Sequence, residues 1–525
     1  MGLDQQQQKR ILYGLACTLS LLFFALQWVN DDILNDDGMD YIYAAHALSE
    51  GLPDKALSYR PETLFFSQIT HVASLSGLSL INSALFISNI WQALLACGFV
   101  AIIRILGGSQ QTQLLGLVVL FSVAGLNELR PSIIRGFGFW ALQLWAVWAA
   151  LAYIKFKAWR FAGLWLGLSA LSLCYRHEGI IYLALIPLAS LLVGQLPLRH
   201  KTVLLSLFLF AFAGLTFLAT SRYYAPTENP QTSSFTRLQK LQGELESVKK
   251  AKHNFEHQKT AMAAAMPNKW GQRSVNDILI GGLFFHVLIT LIKTSNAPLL
   301  LLSFWQKQTR PPSVTSSPEH KLLTAYLLTG LLVGLLAVYS KYFVSTRYIM
   351  LPALILCVMI TFKLSQTLTL LRTKTGIYAK LWPATLALLA LLAVVYPLIH
   401  SKNSKLYIKE AGQWVKHTLG DEQAIYFDNQ KVAFYTDNYT NESFRLSYNN
   451  PQELLSAGYC YAVYTHSRKK QAHNAPPSIT QNLAAHQIQS FANKRGDSIT
   501  VYQLPQQSLR GDEKQTSCKP YKNKS

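Results

Sequence analysis

A chain of 525 residues that is 50% apolar, 12% aromatic and only 14% charged, with a mean hydropathy of +0.18, does not have the composition of an ordinary soluble enzyme. The formal charge of +21 would suit a nucleic-acid binder, but the Lys and Arg residues are spread through short loops between apolar runs, so no nucleic-acid partner is expected. No P-loop or dinucleotide fingerprint appears, which removes the common nucleotide-binding folds.

At the N-terminus, Lys9 and Arg10 precede an apolar run over 11–29. The run is long for a signal-peptide core and has no small-x-small cleavage site after it, so a retained first transmembrane helix is expected. Further runs near 83–106, 112–128, 133–154, 161–175, 179–196, 202–221, 277–305, 321–340, 346–367 and 380–399 make eleven spans. The expected class is a polytopic α-helical membrane protein, with a transmembrane domain over 1–400. Alternating the spans from a cytoplasmic N-terminus puts Lys155, Lys157, Arg160, Arg199, Lys201, Lys307, Arg310, Lys321, Arg372, Lys374 and Lys380 on the cytoplasmic side, as the positive-inside rule requires. The same count makes 31–82 and 222–276 external loops and leaves the C-terminal domain extracytoplasmic, in a multi-pass protein of the plasma (inner) membrane.

The first external loop opens with five aspartates in ten residues, Asp31, Asp32, Asp36, Asp37 and Asp40. One or two of these suit a helix N-terminus through its dipole. Five at a membrane–water boundary point to a functional site, where a solvated carboxylate can act as a general base on a lipid-borne substrate. Gly38 to Gly51 reads as a helix along the membrane surface, with Tyr41, Ala44, Ala45 and Leu48 on one face. Asp37, Asp40 and Tyr41, at i, i+3 and i+4, share one helical turn. Arg60 and Glu62 follow, before another apolar piece. In the second loop Leu238, Leu241, Leu245, Val248 and Phe255 form an amphipathic stripe among lysines, expected to lie on the outer leaflet.

Three more polar clusters fall between spans on the face assigned to the aspartates: Asn127-Glu128-Leu129-Arg130-Pro131 with Arg135, Arg176-His177-Glu178-Gly179, and Lys341 through Tyr348 with Arg347. Charged residues at span ends often only anchor or snorkel. Several converging cations suit phosphate instead, since an arginine fork binds its oxygens bidentately and a lysine adds a point charge. From about 401 the composition changes. A stripe of Ile408, Ala411, Val415 and Leu419 and strand-like runs at 424–427, 461–464 and 499–502 give a small α/β domain over 401–525, with a disordered tail from Arg510. Cys17, Cys97, Cys174 and Cys357 lie in apolar segments, whereas Cys460 and Cys518 lie in this domain and could pair in an oxidising compartment.

At these residues the chain resembles the GT-C superfamily, the integral-membrane glycosyltransferases that include protein O-mannosyltransferases and the lipid A aminoarabinose transferase. Asp37-x-x-Asp40-Tyr41 with Ala44-Ala45 and Gly51 is similar to the superfamily's first-loop pattern. Arg176-His177-Glu178-Gly179 is similar to its Arg-x-Glu-Gly, Phe343 through Tyr348 with Leu351-Pro352 to its late Arg-Tyr stretch, and Ala411 through Val415 to the start of its external domain. The resemblance implies transfer of a sugar from a polyprenyl-phosphate donor to an acceptor hydroxyl on a lipid, glycan or protein, by a hexosyl- or pentosyltransferase. It places the catalytic acid on Asp37, with Asp36 as rival and Asp40 in support, and a lipid-phosphate role on Arg347. Tyr41, Arg60, Glu62, Arg130, Arg135, Arg176, His177, Glu178 and Lys341 complete the candidate substrate-binding set. Asp36-Asp37 replaces the Asp-Glu of the mannosyltransferases. Asp36, Asp37 and Asp40 are also the candidate oxygen ligands for a divalent cation, Mg2+ or Mn2+. The alternatives are a flippase for lipid-linked sugars, which would carry charge deep within broken spans, and a polysaccharide polymerase or ligase.

Overall fold

The computed structural model describes residues 4–29, 33–59, 64–192, 236–304, 317–372, 377–399, 405–420, 424–446, 448, 450–468 and 483–505. Two compact units share the chain: Met1–Val29 with Ala47–Ile399, and Asn30–His46 with His400–Ser525. The break at 399/400 falls where the composition changes. The first half of the aspartate-rich loop, however, clusters with the C-terminal unit, not with the membrane helices between which it stands in sequence.

In the membrane unit α1 (Gln5–Val29) is followed, after α2 (Asp36–Ser49), by α3 (Pro53–Tyr59), α4 (Leu64–Ser74), α5 (Leu80–Ile105), α6 (Gln110–Phe121), α7 (Ala124–Leu129), α8 (Gly136–Phe156), α9 (Trp159–Leu173) and α10 (Gly179–Leu192). Beyond them come α11 (Thr236–Ala265), α12 (Lys269–Ser295), α13 (Ala297–Phe304), α14 (Pro318–Lys341), α15 (Thr346–Arg372) and α16 (Ile377–Ile399). Among the described residues six helices are long and apolar enough to cross a membrane, and shorter apolar helices cover 110–121, 179–189 and 383–392. The span expected at 202–221 lies outside the described residues.

Local chemistry sets the helix ends. Ser79, Ser109, Asn268 and Ser317 each accept a backbone N–H two or three residues into the following helix, replacing a bond that the first turn cannot make. Two expected spans are broken. The 112–128 run divides at Ser122 and Val123, and the 277–305 run divides at Asn296, whose φ of 89° ends α12. α8 is buried almost all round, as an apolar helix without a polar face should be. Leu21, Leu22, Phe86, Ile90, Leu94, Leu328 and Leu336 stand exposed on span helices, which is stable against hydrocarbon but not against water. Between spans, small residues allow close approach. A Cβ on Gly330 of α14 would lie 2.8 Å from the Pro352 ring of α15, which holds these two helices together just beyond the Lys341–Arg347 turn. Of the stripe expected in the second loop, the described side chain is Phe255 of α11, which packs against Tyr339 of α14 (ring centroids 5.3 Å apart) and is buried by protein, so this residue is not a leaflet contact.

The second unit is a four-stranded sheet of order β1-β2-β4-β3, from β1 (Ile425–Phe427), β2 (Tyr461–His466), β3 (Gln487–Ala492) and β4 (Ser498–Gln503). β1 runs parallel to β2, while β2–β4 and β3–β4 are antiparallel. Three of the strands coincide with the expected runs. β3 is the additional one, a polar edge strand with mostly exposed side chains and therefore no apolar alternation to reveal it. α17 (Leu406–Thr418) buries Ile408, Ala411 and Val415 of the expected stripe. α18 (Gln430–Phe434) and α19 (Pro451–Ser456) complete the unit. Cys460 is buried and disulfide-bonded, and Cys17, Cys97, Cys174 and Cys357 are free thiols. Cys518 lies outside the described residues, as do the rest of the tail from 506 and the start of the second loop.

Candidate active site

Acids and cations form two clusters, one in each unit. In the C-terminal unit, α2 begins at Asp36, two residues before the expected start, with Asp36 and Asp37 in its first turn where the helix dipole favours negative charge. Residues 41–45 are all buried, with Tyr41 at 2% exposure, so this part of the helix is packed in protein and does not lie along a membrane surface with one apolar face. Tyr43 meets the rings of Phe434 and Tyr439 edge-on at 5.8 Å, and the Tyr435 hydroxyl accepts the Leu34 N–H at 2.9 Å. At the acidic end, Asp36 Oδ1 lies 3.0 Å from Lys431 Nζ, and Asp40 Oδ1 accepts a hydrogen bond from Gln430 Nε2 at 2.8 Å. Gln430 and Lys431 open α18, whose cap is Asn429. Asp37, half-buried, stands between the two anchored acids.

These contacts bear on the expected cation ligands. An ammonium on Asp36 and an amide on Asp40 do not build the oxygen cage that Mg2+ or Mn2+ takes. No group of three His, Cys, Asp or Glu side chains is placed to hold a metal among the described residues.

In the membrane unit, the turn between α9 and α10 carries Arg176, His177 and Glu178. The Arg176 fork closes on Glu178, with Nη2 2.7 Å from Oε1 and Nε 3.2 Å from Oε2. Nη1 donates to the Arg347 carbonyl at 3.4 Å, and the guanidinium lies 4.8 Å from the centre of the Tyr348 ring. Lys341 Nζ donates to the Tyr348 hydroxyl at 2.9 Å and stands 5.2 Å from the same ring. Tyr348 thus joins two cations, one on its face and one at its hydroxyl. Lys341 is the last residue of α14, where the helix dipole welcomes a cation, and the next residue, Tyr342, turns the chain with φ 52°. That conformation costs a non-glycine residue of order 1 kcal/mol and is held by its N–H bond to the Val338 carbonyl at 2.7 Å.

Burial pushes the Glu178 carboxyl up, but the Arg176 guanidinium, with Arg135 adding to it, more than reverses this and holds it at about 2. Arg135, the residue before α8, therefore belongs to the same electrostatic group. Of the candidate substrate-binding residues, the structure brings Arg135, Arg176, Glu178, Lys341 and the Arg347 backbone together, with His177 half-buried in the same turn. Arg130 goes elsewhere. Only 4% exposed, it donates to Asn127 Oδ1 and Gln92 Oε1, both at 2.9 Å, and lies 5.0 and 4.8 Å from the centres of the Phe23 and Phe121 rings, which stack on one another. It ties α1, α5, α6 and α7 to one another, so its expected phosphate role has no support in its surroundings. Arg60 and Glu62 lie outside the described residues.

Three residues escaped the sequence reading. Tyr348 sat within a quoted motif but reads as core, because an aromatic at the head of a span usually is. Gln430 and Lys431 carry no local signal, since Gln430 meets an acid 390 positions away.

No family model and no curated protein matches the sequence. Solved structures do. ArnT from Cupriavidus metallidurans in the apo state is 10% identical, over 92% of this chain and 97% of that one, with a TM-score of 0.50. The same protein bound to undecaprenyl phosphate gives 11% identity, 93% and 97% coverage and a TM-score of 0.53. An oligosaccharyltransferase from Archaeoglobus fulgidus in the apo form gives 11%, 87% and 69%, and 0.48. At such identities the likeness to ArnT is one of fold, and it runs nearly end to end.

Proposed function

We propose that this protein transfers a sugar from a polyprenyl-phosphate carrier to an acceptor hydroxyl at the outer face of the membrane. The observation that carries the reading is the Arg176–Tyr348–Lys341 group in a chain whose fold matches a protein crystallised with undecaprenyl phosphate. Asp37 removes the proton of the acceptor hydroxyl as that oxygen attacks the anomeric carbon. The bond from that carbon to the phosphate oxygen breaks, and the departing lipid phosphate takes the electron pair and the negative charge. Lys341 and Arg347 stabilise that charge. Arg176, already occupied by Glu178, holds the Tyr348 ring and the Arg347 carbonyl in place. The acceptor is a lipid, glycan or protein hydroxyl, and the sugar a hexose or pentose.

The outer-face assignment is supported by the positive-inside pattern of the loops and by a disulfide at Cys460, since such bonds persist in oxidising compartments. We expect mass spectrometry of the unreduced protein to find Cys460 joined to Cys518; a Cys460 that alkylates without reduction would remove this support.

Detergent-purified protein should release undecaprenyl phosphate from synthetic undecaprenyl-phosphoryl pentoses or hexoses when envelope lipids are added as acceptor. A flippase would leave the donor intact, and a polymerase or ligase would require a pyrophosphate-linked donor. Lys341→Ala is expected to raise the KM for the donor about tenfold, the worth of one hydrogen bond to a charged group. Thermal stability should be unchanged, because the Lys341 side chain is exposed. Unchanged KM in that variant would remove Lys341 from the phosphate site.

A further inference from the structure

We infer that Gln430 and Lys431 of the C-terminal unit are positioning residues for the base, fixing the turn that carries Asp37 by gripping the acids on either side of it. This rests on the transferase reading above and goes beyond it, by assigning a catalytic contribution to a segment remote in sequence from every candidate residue.

The geometry is that of a two-point hold. Asp36 and Asp40 are four residues apart, so one turn of α2 carries both, with Asp37 between them. Two consecutive residues of α18 reach the two ends of that turn, Lys431 Nζ at 3.0 Å from Asp36 and Gln430 Nε2 at 2.8 Å from Asp40. These two contacts add to the packing of residues 41–45 and fix the acidic end of the helix from both sides of Asp37. The partners are themselves fixed. Asn429 Oδ1 accepts the Lys431 N–H at 2.9 Å, and Phe434, at the far end of α18, packs on Tyr43, less than one turn of α2 beyond Asp40. Charge matters as well as placement. The Lys431 ammonium offsets the carboxylate that immediately precedes Asp37 in the chain, so two adjacent like charges need not repel across the first turn.

Simple stabilisation does not account for the pair. The Asp36 side chain is 65% exposed, and an ion pair so open to water contributes only about 0–1 kcal/mol to folding. Asp36 is held by Lys431 and Asp40 by Gln430, and Asp37 keeps the role of base given to it under the transferase reading.

The test measures release of undecaprenyl phosphate by the full-length protein, with a synthetic undecaprenyl-phosphoryl sugar that the wild type consumes. Lys431→Met should lower kcat about 10- to 100-fold with the KM for the donor unchanged, the penalty expected when a reacting group is misplaced by an ångström or so. Lys431→Arg should restore most of that loss. If Lys431 acts through Asp36, the double variant Asp36→Asn/Lys431→Met should be no slower than Asp36→Asn alone. Thermal unfolding of each variant separates misplacement from misfolding, and Gln430→Leu gives the same reading from the other end of the turn. A normal kcat in Lys431→Met, failure of arginine to rescue, or additive losses in the double variant would each overturn the inference. Asp37→Asn distinguishes the two levels: if it turns over normally, the base assignment fails; if it is inactive while the Lys431 variants are normal, only the positioning role fails.

Discussion

Asp37→Asn is expected to abolish measurable transfer while expression, thermal stability and donor binding stay at wild-type levels. The amide keeps the shape of the side chain and its place in the first turn of α2, but it cannot take a proton from an acceptor hydroxyl. Loss of a general base costs about 10²- to 10⁴-fold in rate, and for a transfer without another base nearby the upper end applies. Asp36 and Asp40 flank it, Asp36 facing Lys431 and Asp40 facing Gln430. Their Asn variants, which leave the proposed base in place, should lose less activity than Asp37→Asn. The decisive comparison is product release under saturating donor, with donor affinity measured separately by titrating undecaprenyl phosphate. Full turnover by Asp37→Asn would refute its assignment.

Arg176→Leu is expected to have the largest effect on stability. Removing the guanidinium leaves Glu178 without the partner that offsets its burial, and a broken buried pair costs about 3–5 kcal/mol. The side chains of the pair are only 8% and 23% exposed, so water cannot replace the lost bonds cheaply. Arg176→Lys should recover only part of the loss, because one ammonium cannot reproduce the fork on Glu178 and the stacking on Tyr348 together. The sign of the pH dependence follows from the depressed Glu178 carboxyl. Its folded value of about 2 lies below the roughly 4.3 of an unfolded glutamate, so the pair stabilises fully above the latter and weakens as the pH falls toward the former. Thermal midpoints followed from about pH 6 down to about pH 2 should fall more steeply for the wild type than for Arg176→Met/Glu178→Met, since the double variant has no such carboxylate to protonate. Equal slopes would show that the pair carries none of the acid sensitivity.

Much of this architecture was legible in the sequence because bilayers impose simple rules on length and polarity. The long apolar helices stand where apolar runs predicted them, and three of the four strands follow their β-branched and aromatic runs. What escaped has physical causes. The helix break at Val123 interrupts an apolar run with no proline to announce it, whereas the break at Asn296 comes two residues before Pro298. β3 is an edge strand whose exposed faces need no alternation. For the candidate site, the acids and most of the cations could be recognised by type, but their partners could not. Arg130 and Arg176 look alike as isolated arginines at span ends. Only the fold reveals that one is buried against Phe23 and Phe121, while the other joins Glu178 to Tyr348.

The assignment of residues 30–46 to the same unit as the last part of the chain has a consequence for biosynthesis. The acidic turn leaves the ribosome 390 positions ahead of Gln430, which anchors it. A nascent chain arrested in the membrane before that point would hold the acidic turn without its anchors, and on the positioning reading above it should turn over about 10- to 100-fold more slowly.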